Sequence, residues 1–373
     1  PRAFGWWRRS RMVRGAALQA YVAAGVHADH EATSLAEAED KLRAGLMVMI
    51  REGSSEKNLA ELIPLVNDRT YPRICFASDD RDCHDLHEIG HVDDILRRAI
   101  SAGLDPIRAI RMATWNAAHY WGLDETGAVA PGYLANLVIL DDLQSVTVRT
   151  TLYRGKVVAV NGALTAHMDP PQVPEELLQT VHVAPVRRSQ MAIRAEDATK
   201  GVGLMPGQIT TKLIDIAPAV ENGMAVSDPS QDLLKTVSVE RHHATGRVGV
   251  GFTHGFGLTR GALASTIAHD AHNIIAVGVS DADILSAIAL VAESQGGLAV
   301  VADGEVLEHL PLPIAGLMSP APLQAVAPVY ARLQEAARSL GSTLDDPFGQ
   351  LAFLSLSVIP QARITDRGLL DLS

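Results

Sequence analysis

Residues 46–54 read Leu46-Met47-Val48-Met49-Ile50-Arg51-Glu52-Gly53-Ser54. Five consecutive apolar residues with no polar alternation describe a strand buried on both faces, as in a parallel sheet. The ionisable cluster that follows then sits at the strand's carboxyl end. The same arrangement occurs on either side. Val22 to Val26 precede His30-Glu31, and Ile74 to Ala77 precede Ser78-Asp79-Asp80-Arg81. From His30 to Glu52 is 22 residues and from Glu52 to Asp79 is 27, the length of one strand, one helix and two short loops. Successive parallel strands of a (β/α) barrel bring such groups to one mouth.

Helical patterns fill the gaps. Gly15 to Gly25 carries Leu18, Tyr21 and Val22 on one stripe. Ser34 with Glu37 forms a capping box for a helix running to Gly45. Ser55 to Asn67, perturbed by Pro64, reads as a helix, as do Asp85 to Ala102 and Asp105 to Trp121. Strand–helix alternation means a parallel sheet, but only about three units are visible, too few to close an eight-stranded barrel.

The character changes after Gly127. Leu137–Leu140, Val146–Arg149 and Lys156–Val160, separated by tight-turn dipeptides, read as antiparallel sheet. Residues 166–190, rich in proline, read as a linker. From Met191 a third unit mixes strands (212–216, 274–279, 298–302) with helices (262–268, 282–295, 322–340). The expected organisation is therefore an atypical segment 1–13, the C-terminal half of a (β/α)8 TIM-type barrel over 14–122, a small β-sandwich segment over 123–165, a linker over 166–190, and a C-terminal α/β (α+β) domain over 191–373.

Composition narrows the function. Among 373 residues, 47% are apolar and 20% charged, enough to bury large cores. A net charge of −11 argues against a nucleic-acid partner, which needs a basic face. No apolar run approaches the roughly 20 residues of a membrane helix. Cys75 and Cys83 do not make a disulfide framework and suit free thiols in the cytoplasm; Cys83 lies beside the acidic cluster and could neighbour a metal. The chain begins at Pro1, with Arg2, Arg8, Arg9, Arg11 and Arg14 around Trp6-Trp7, and is read as part of a longer protein.

A neutral imidazole and a carboxylate from different strand ends are usual ligands of a catalytic divalent metal, which singles out His30 and Asp79. An aspartate there can also relay a proton. Each group alone has a plain structural reading: a surface histidine, a helix cap with an ion pair, a solvated loop glutamate. His87 and His91, four apart, would share a helix face as a metal pair, although His91 fits better as a residue hydrogen-bonding beneath the pocket. In the third unit, His269-Asp270-Ala271-His272-Asn273 could bind metal, close over a ligand, or be a self-bonded polar loop. Glycines 249, 251, 255, 257 and 261 give a flexible stretch that lacks the marks of a phosphate loop.

Several strings closely resemble the bacterial adenine deaminase family of the amidohydrolase superfamily. They are Ala16-Ala17-Leu18-Gln19-Ala20-Tyr21, His30-Glu31, Met49-Ile50-Arg51-Glu52-Gly53-Ser54, Ser78-Asp79-Asp80-Arg81 and Gly90-His91. Ala113-Thr114-Trp115-Asn116-Ala117-Ala118, Gly122-Leu123 and Ala130-Pro131-Gly132 resemble the superfamily's passage from barrel to β-sandwich. Ser265 to Asn273, Leu310 to Ser319, and Phe353-Leu354-Ser355-Leu356 with Val358-Ile359-Pro360 resemble the extra domain of this deaminase.

The resemblance implies hydrolysis of adenine to hypoxanthine and ammonia, with adenine and water as the partners, in a cytoplasmic homo-oligomer. It implies a divalent metal (manganese, iron or zinc), binuclear in the complete protein. His30 and Asp79 would be metal ligands, with Asp79, Asp80 and Glu52 catalytic and Arg51, Glu52, Ser54 and His91 at the substrate. The family's first-strand His-x-His pair, fourth-strand carboxylate and fifth-strand histidine have no counterpart here, and Asn136 replaces a usual aspartate. The chain alone is therefore expected to be inactive, to hold metal poorly and to expose apolar surface. Two alternatives stay open: an amidohydrolase of another purine or cyclic amide, and a non-catalytic protein binding through its C-terminal domain.

Overall fold

The computed structural model describes residues 13–167, 172–205, 208–359 and 361–372. The arginine- and tryptophan-rich stretch 1–12, Pro170, Pro171 and Pro360 lie outside the described residues. The chain divides into two compact units, residues 1–170 and 171–373.

The first unit opens with α1 (Gly15–Ala23), β1 (Ala28–Asp29), α2 (Leu35–Arg43), β2 (Met47–Arg51), α3 (Leu59–Leu62) and β3 (Ile74–Ala77). The three strands form one parallel sheet in the order β1-β2-β3, with Asp29 beside Val48 and Arg51 beside Ala77. Every residue of β2 is buried, which is why its sequence shows no alternation. The run Val22 to Val26 is not a strand: α1 takes its first half, and β1 is only two residues long. Ser34 accepts a hydrogen bond from the Glu37 N–H as expected, but the Glu37 carboxylate takes its return bond from Thr33.

The expected longer helices are broken. Residues 55–67 yield only α3 and a 3-10 turn over Ile63–Leu65, because Pro64 has no N–H and the loop before α3 folds back on the third strand's end. Residues 85–102 split into α4 (Cys83–Glu88) and α5 (Val92–Ser101) at Gly90, whose φ of +123° ends the first. His87 and His91 therefore share no helix face. Residues 105–121 split into α6 (Pro106–Ala113) and α7 (Trp115–Trp121) at Thr114, whose backbone leaves the helical region. A core of Val48, Ile50, Leu62, Ile74, Ala99 and Met112 joins the strands to these helices. An antiparallel sheet of β4 (Leu137–Leu140), β5 (Val148–Tyr153), β6 (Lys156–Val160) and β7 (Ala163–Leu164) follows, with Val138, Tyr153, Val157 and Leu164 exposed.

In the second unit, residues 172–190 are not a loose tether. His182 donates its N–H to Arg241 and Leu177 accepts from Ala315. The strands are β8 (Ile193–Arg194), β9 (Lys200–Met205), β10 (Gln208–Asp215), β11 (Ala219–Glu221), β12 (Met224–Val226), β13 (Leu233–Val239), β14 (Val248–His254), β15 (Ala262–Ser265), β16 (Ile274–Gly278), β17 (Gly297–Ala302), β18 (Glu305–Pro311), β19 (Ala362–Thr365) and β20 (Gly368–Asp371). The helices are α8 (Asp281–Glu293), α9 (Leu323–Ser339) and α10 (Pro347–Phe353). Eight strands form one sheet, β10-β9-β14-β13-β16-β15-β17-β18, antiparallel except where β14 meets β9.

Two further expectations fail in this unit. Residues 262–268 are not a helix; 262–265 form β15, wholly buried and paired between β16 and β17. The glycine stretch is not a flexible loop at its start. Gly249 and Gly251 lie within β14, and a Cβ on Gly249 would come 1.9 Å from the Thr365 carbonyl oxygen.

Candidate functional site

The carboxyl ends of β1, β2 and β3 carry the ionisable clusters. Asp29 closes β1, fully buried, and its Oδ2 accepts from Lys41 Nζ (2.8 Å) and from the N–H groups of Glu31 (3.2 Å) and Ala32 (3.0 Å). Lys41 also bonds Glu37 Oε1 at 2.7 Å. This buried knot turns the chain directly after the strand and fixes where His30 starts. Nε2 of His30 lies 3.2 Å from Glu31 Oε1 and 3.9 Å from Asp79 Oδ1.

Asp79 follows β3 with φ of +52°, a left-handed conformation that aspartate tolerates better than most residues. Its side chain is 35% exposed, against 5% for His30, so it forms the open side of the site. Arg51, the last residue of β2, is 1% exposed. Its guanidinium bonds Asp79 Oδ2 and Glu56 Oε2, each at 2.9 Å, and lies 3.6 Å from Glu31 Oε2. Burial alone would lower the Arg51 pKa; Glu31, Glu56 and Asp79 outweigh it and hold the pKa above the ordinary value. One guanidinium facing three carboxylates gives formal charges of +1 and −3, a sum of −2 beside an imidazole. That surplus suits a bound cation.

The remaining expected residues face elsewhere. Glu52 Oε2 accepts from the Leu59 N–H at the start of α3 (3.3 Å), and Oε1 lies 3.7 Å from Arg98; burial raises its pKa. Asp80 Oδ2 accepts from the N–H groups of Ser55 (2.8 Å) and Glu56 (3.2 Å), and burial, then Asp79, raise its pKa. A Cβ on Gly53 would fall 1.5 Å from Asp80 Oδ1, so the turn admits only glycine there. Ser54 Oγ donates to Asp85 Oδ2 (2.6 Å). The exposed His91 meets Ser78 Oγ through Nε2 at 2.8 Å, one residue from Asp79. The structure thus gathers His30, Asp79 and Arg51. It places Glu52, Asp80 and Ser54 in the loops that hold them, and sets His91 beside Asp79 through Ser78.

Sequence reasoning gave no role to Glu31 and Glu56. Glu31 adjoins His30, a visible signal. Glu56 lies where a helix was expected, and nothing in its sequence surroundings marks it. Cys75 is core, its thiol pushed up to about 12 by burial.

A divalent metal is implied by the resemblance, and the donors test it. Two ligands about 2.1 Å from one cation stand up to about 4.2 Å apart, so His30 Nε2 and Asp79 Oδ1 at 3.9 Å are within reach of one cation. Among the described residues, no group of three or more His, Cys, Asp or Glu is placed to hold a metal.

Two stretches of the chain match known families. Residues 12–158 match the amidohydrolase family, and residues 208–373 match the adenine deaminase C-terminal domain. Over nearly its whole length the chain is similar to curated adenine deaminases. It is 45% identical over 362 residues to an adenine deaminase of Dehalococcoides mccartyi, covering 96% of this chain and 63% of the relative. It is 46% identical over 365 residues to one of Oleidesulfovibrio alaskensis, covering 96% and 62%. It is 44% identical over 359 residues to one of Methanothrix thermoacetophila, again covering 96% and 62%. The chain therefore spans less than two thirds of the length of these relatives. A β-aspartyl dipeptidase structure from Fervidobacterium islandicum AW-1 shares 16% identity at a TM-score of 0.31, over 38% of this chain and 41% of its own, too slight a likeness to bear on the site.

Proposed function

We propose that this chain contributes the His30–Asp79 side of a site that hydrolyses adenine to hypoxanthine and ammonia. The observation that carries the reading is the approach of His30 Nε2 to Asp79 Oδ1, with Arg51 tying the other oxygen of Asp79. His30 and Asp79 would hold a divalent metal, one of manganese, iron and zinc. When bound, that ion lowers the pKa of water and stabilises the charge that develops on the reacting centre.

The protein's own groups have defined tasks in this reading. Arg51 fixes Asp79 Oδ2, so Oδ1 is left facing His30 and the open side. The Asp79 carboxylate takes one proton from the water that adds to C6 of adenine and returns it to the amino nitrogen, which leaves as ammonia, while the water's other proton ends on N1 of hypoxanthine. Glu31 and Glu56 hold Arg51, and Glu52, Asp80 and Ser54 shape the loops behind it. His91, through Ser78, steadies the approach to Asp79. The parallel strands β1–β3 would be part of a (β/α)8 barrel and β4–β7 part of a β-sandwich, in a cytoplasmic homo-oligomer serving purine metabolism. The match of residues 208–373 favours adenine over other cyclic amides.

The test is a chimera in which this chain replaces the matching stretch of the Dehalococcoides mccartyi enzyme. With added manganese, iron or zinc it should release ammonia from adenine. His30→Ala and Asp79→Asn should each lower kcat by about 1000-fold or more. Ammonia release at the parent rate by the Asp79→Asn chimera would refute the proton role.

A further inference from the structure

We propose that the second unit carries a ligand site of its own, for a neutral heterocycle that presents adjacent hydrogen-bond donor and acceptor groups, as a nucleobase does. The site is a cavity of about 560 Å³, bounded by the 270–273 loop, the end of α10 and the β19–β20 turn. Ser238, near the carboxyl end of β13, and Asn273, just before β16, line it. Both are more than nine-tenths buried, and Ser238 Oγ and Asn273 Oδ1 have no hydrogen-bond partner. Buried polar atoms are almost always paired, so two orphans on one cavity wall mark a place where a partner is missing.

The lining selects the chemistry. Ser238 offers a hydroxyl, which both donates and accepts, while Thr365 Oγ1 already donates to the Gly368 carbonyl (3.5 Å) and accepts from the Arg367 N–H (3.2 Å). Ser355 spends its proton on the His269 carbonyl (3.0 Å), which turns its oxygen into an acceptor site. The charged lining residues include Asp270 and Arg367, exposed and opposite in sign, while Asp366 is paired with Arg247 at 2.8 Å. The cavity therefore has no strong preference for an anion or a cation. Leu369 and Leu370 supply an apolar wall suited to a flat ring face. A carboxamide such as that of Asn273 pairs with a ring nitrogen and its neighbouring amino or oxo group, as asparagine does with adenine edges.

The cavity lies wholly within residues 238–370 and shares no residue with the His30–Asp79 site. The inference does not depend on the deaminase reading, which supplies only the choice of first probe. It is tested on the full chain carrying His30→Ala and Asp79→Ala, so that uptake at the first unit is not counted. Calorimetric titration with adenine and with hypoxanthine should show saturable binding of one equivalent. Asn273→Leu should weaken it about ten-fold or more, and Ser238→Ala by about three-fold or more, with the melting curve of the Ser238 variant unchanged. Inorganic phosphate should not compete. If Asn273→Leu does not fold, Ser238→Ala carries the test. No saturable uptake of either base at about 10 mM, uptake indifferent to these substitutions, or displacement by phosphate would each overturn the inference.

Discussion

Arg51 in the first unit and Arg241 in the second are equally sealed from solvent, each 1% exposed, yet their surroundings are opposite. Arg51 meets three carboxylates, and its pKa is raised. Arg241 donates to the carbonyls of His272 and Ala315, and burial brings its pKa down to about 10. Among the described residues no carboxylate pairs with Arg241. A buried guanidinium bound to carbonyl dipoles pins loops and leaves little net field. A buried guanidinium outnumbered by carboxylates organises a negative pocket, one of whose members, Asp79, remains reachable from outside. The contrast separates a structural arginine from one that positions a site.

The largest expected effect tests that contrast directly. Arg51→Met leaves Glu31 and Glu56 buried without their guanidinium and should cost about 3–5 kcal/mol in denaturant-monitored stability. Arg241→Met strands only carbonyl oxygens and should cost about 1–3 kcal/mol by the same measurement. A larger loss at Arg241 than at Arg51 would break the comparison.

Two pH experiments sharpen it. Asp80 is a buried carboxylate of the first unit whose folded pKa is raised, mainly by burial. Its contribution to stability is full below its ordinary pKa and is lost as pH rises through the raised value. Asp80→Asn keeps an acceptor for Ser55 and Glu56, so its stability relative to the parent should improve from acid to neutral pH. A relative loss over that range, measured by urea midpoints, would contradict the burial account.

His272 is the second unit's counterpart, a base lowered to about 4 by burial first and by His269 and Arg241 next. Its ring accepts the Ala268 N–H at Nδ1, which suits the neutral form. Its contribution is full above the ordinary imidazole pKa of 6.5 and is lost as pH falls towards 4. NMR titration should find the ring neutral at pH 5.5, and His272→Asn should flatten the acid limb of the stability curve slightly. This is the smallest effect.

The parts of this architecture legible in the sequence are those set by local pattern. β2 shows because both its faces are buried, and β3 because its first half is buried and its second half partly so; unbroken apolar runs mark both. His30, Arg51 and Asp79 show because strand-plus-helix spacing places each at a carboxyl end. What stayed hidden depends on contacts distant in sequence. Glu56 is recruited by Arg51 through a turn that replaced an expected helix. Lys41, on a helix face that charge alone would put outside, is buried because Asp29 and Glu37 hold its ammonium. β15 reads as helix from its alanines, and only its place between β16 and β17 makes it a strand. Gly249 looked like flexibility, yet it is small because the β19–β20 turn lies against it.

The central claim is that His30 and Asp79 can share one cation, and manganese-induced line broadening tests it most directly. As Mn²⁺ is added to the chain, the His30 ring resonances should broaden before those of exposed histidines such as His254. Asp79→Asn should raise the required Mn²⁺ concentration about ten-fold or more. Broadening of His30 no earlier than His254, or at the same Mn²⁺ concentration with and without the Asp79 carboxylate, would contradict the account.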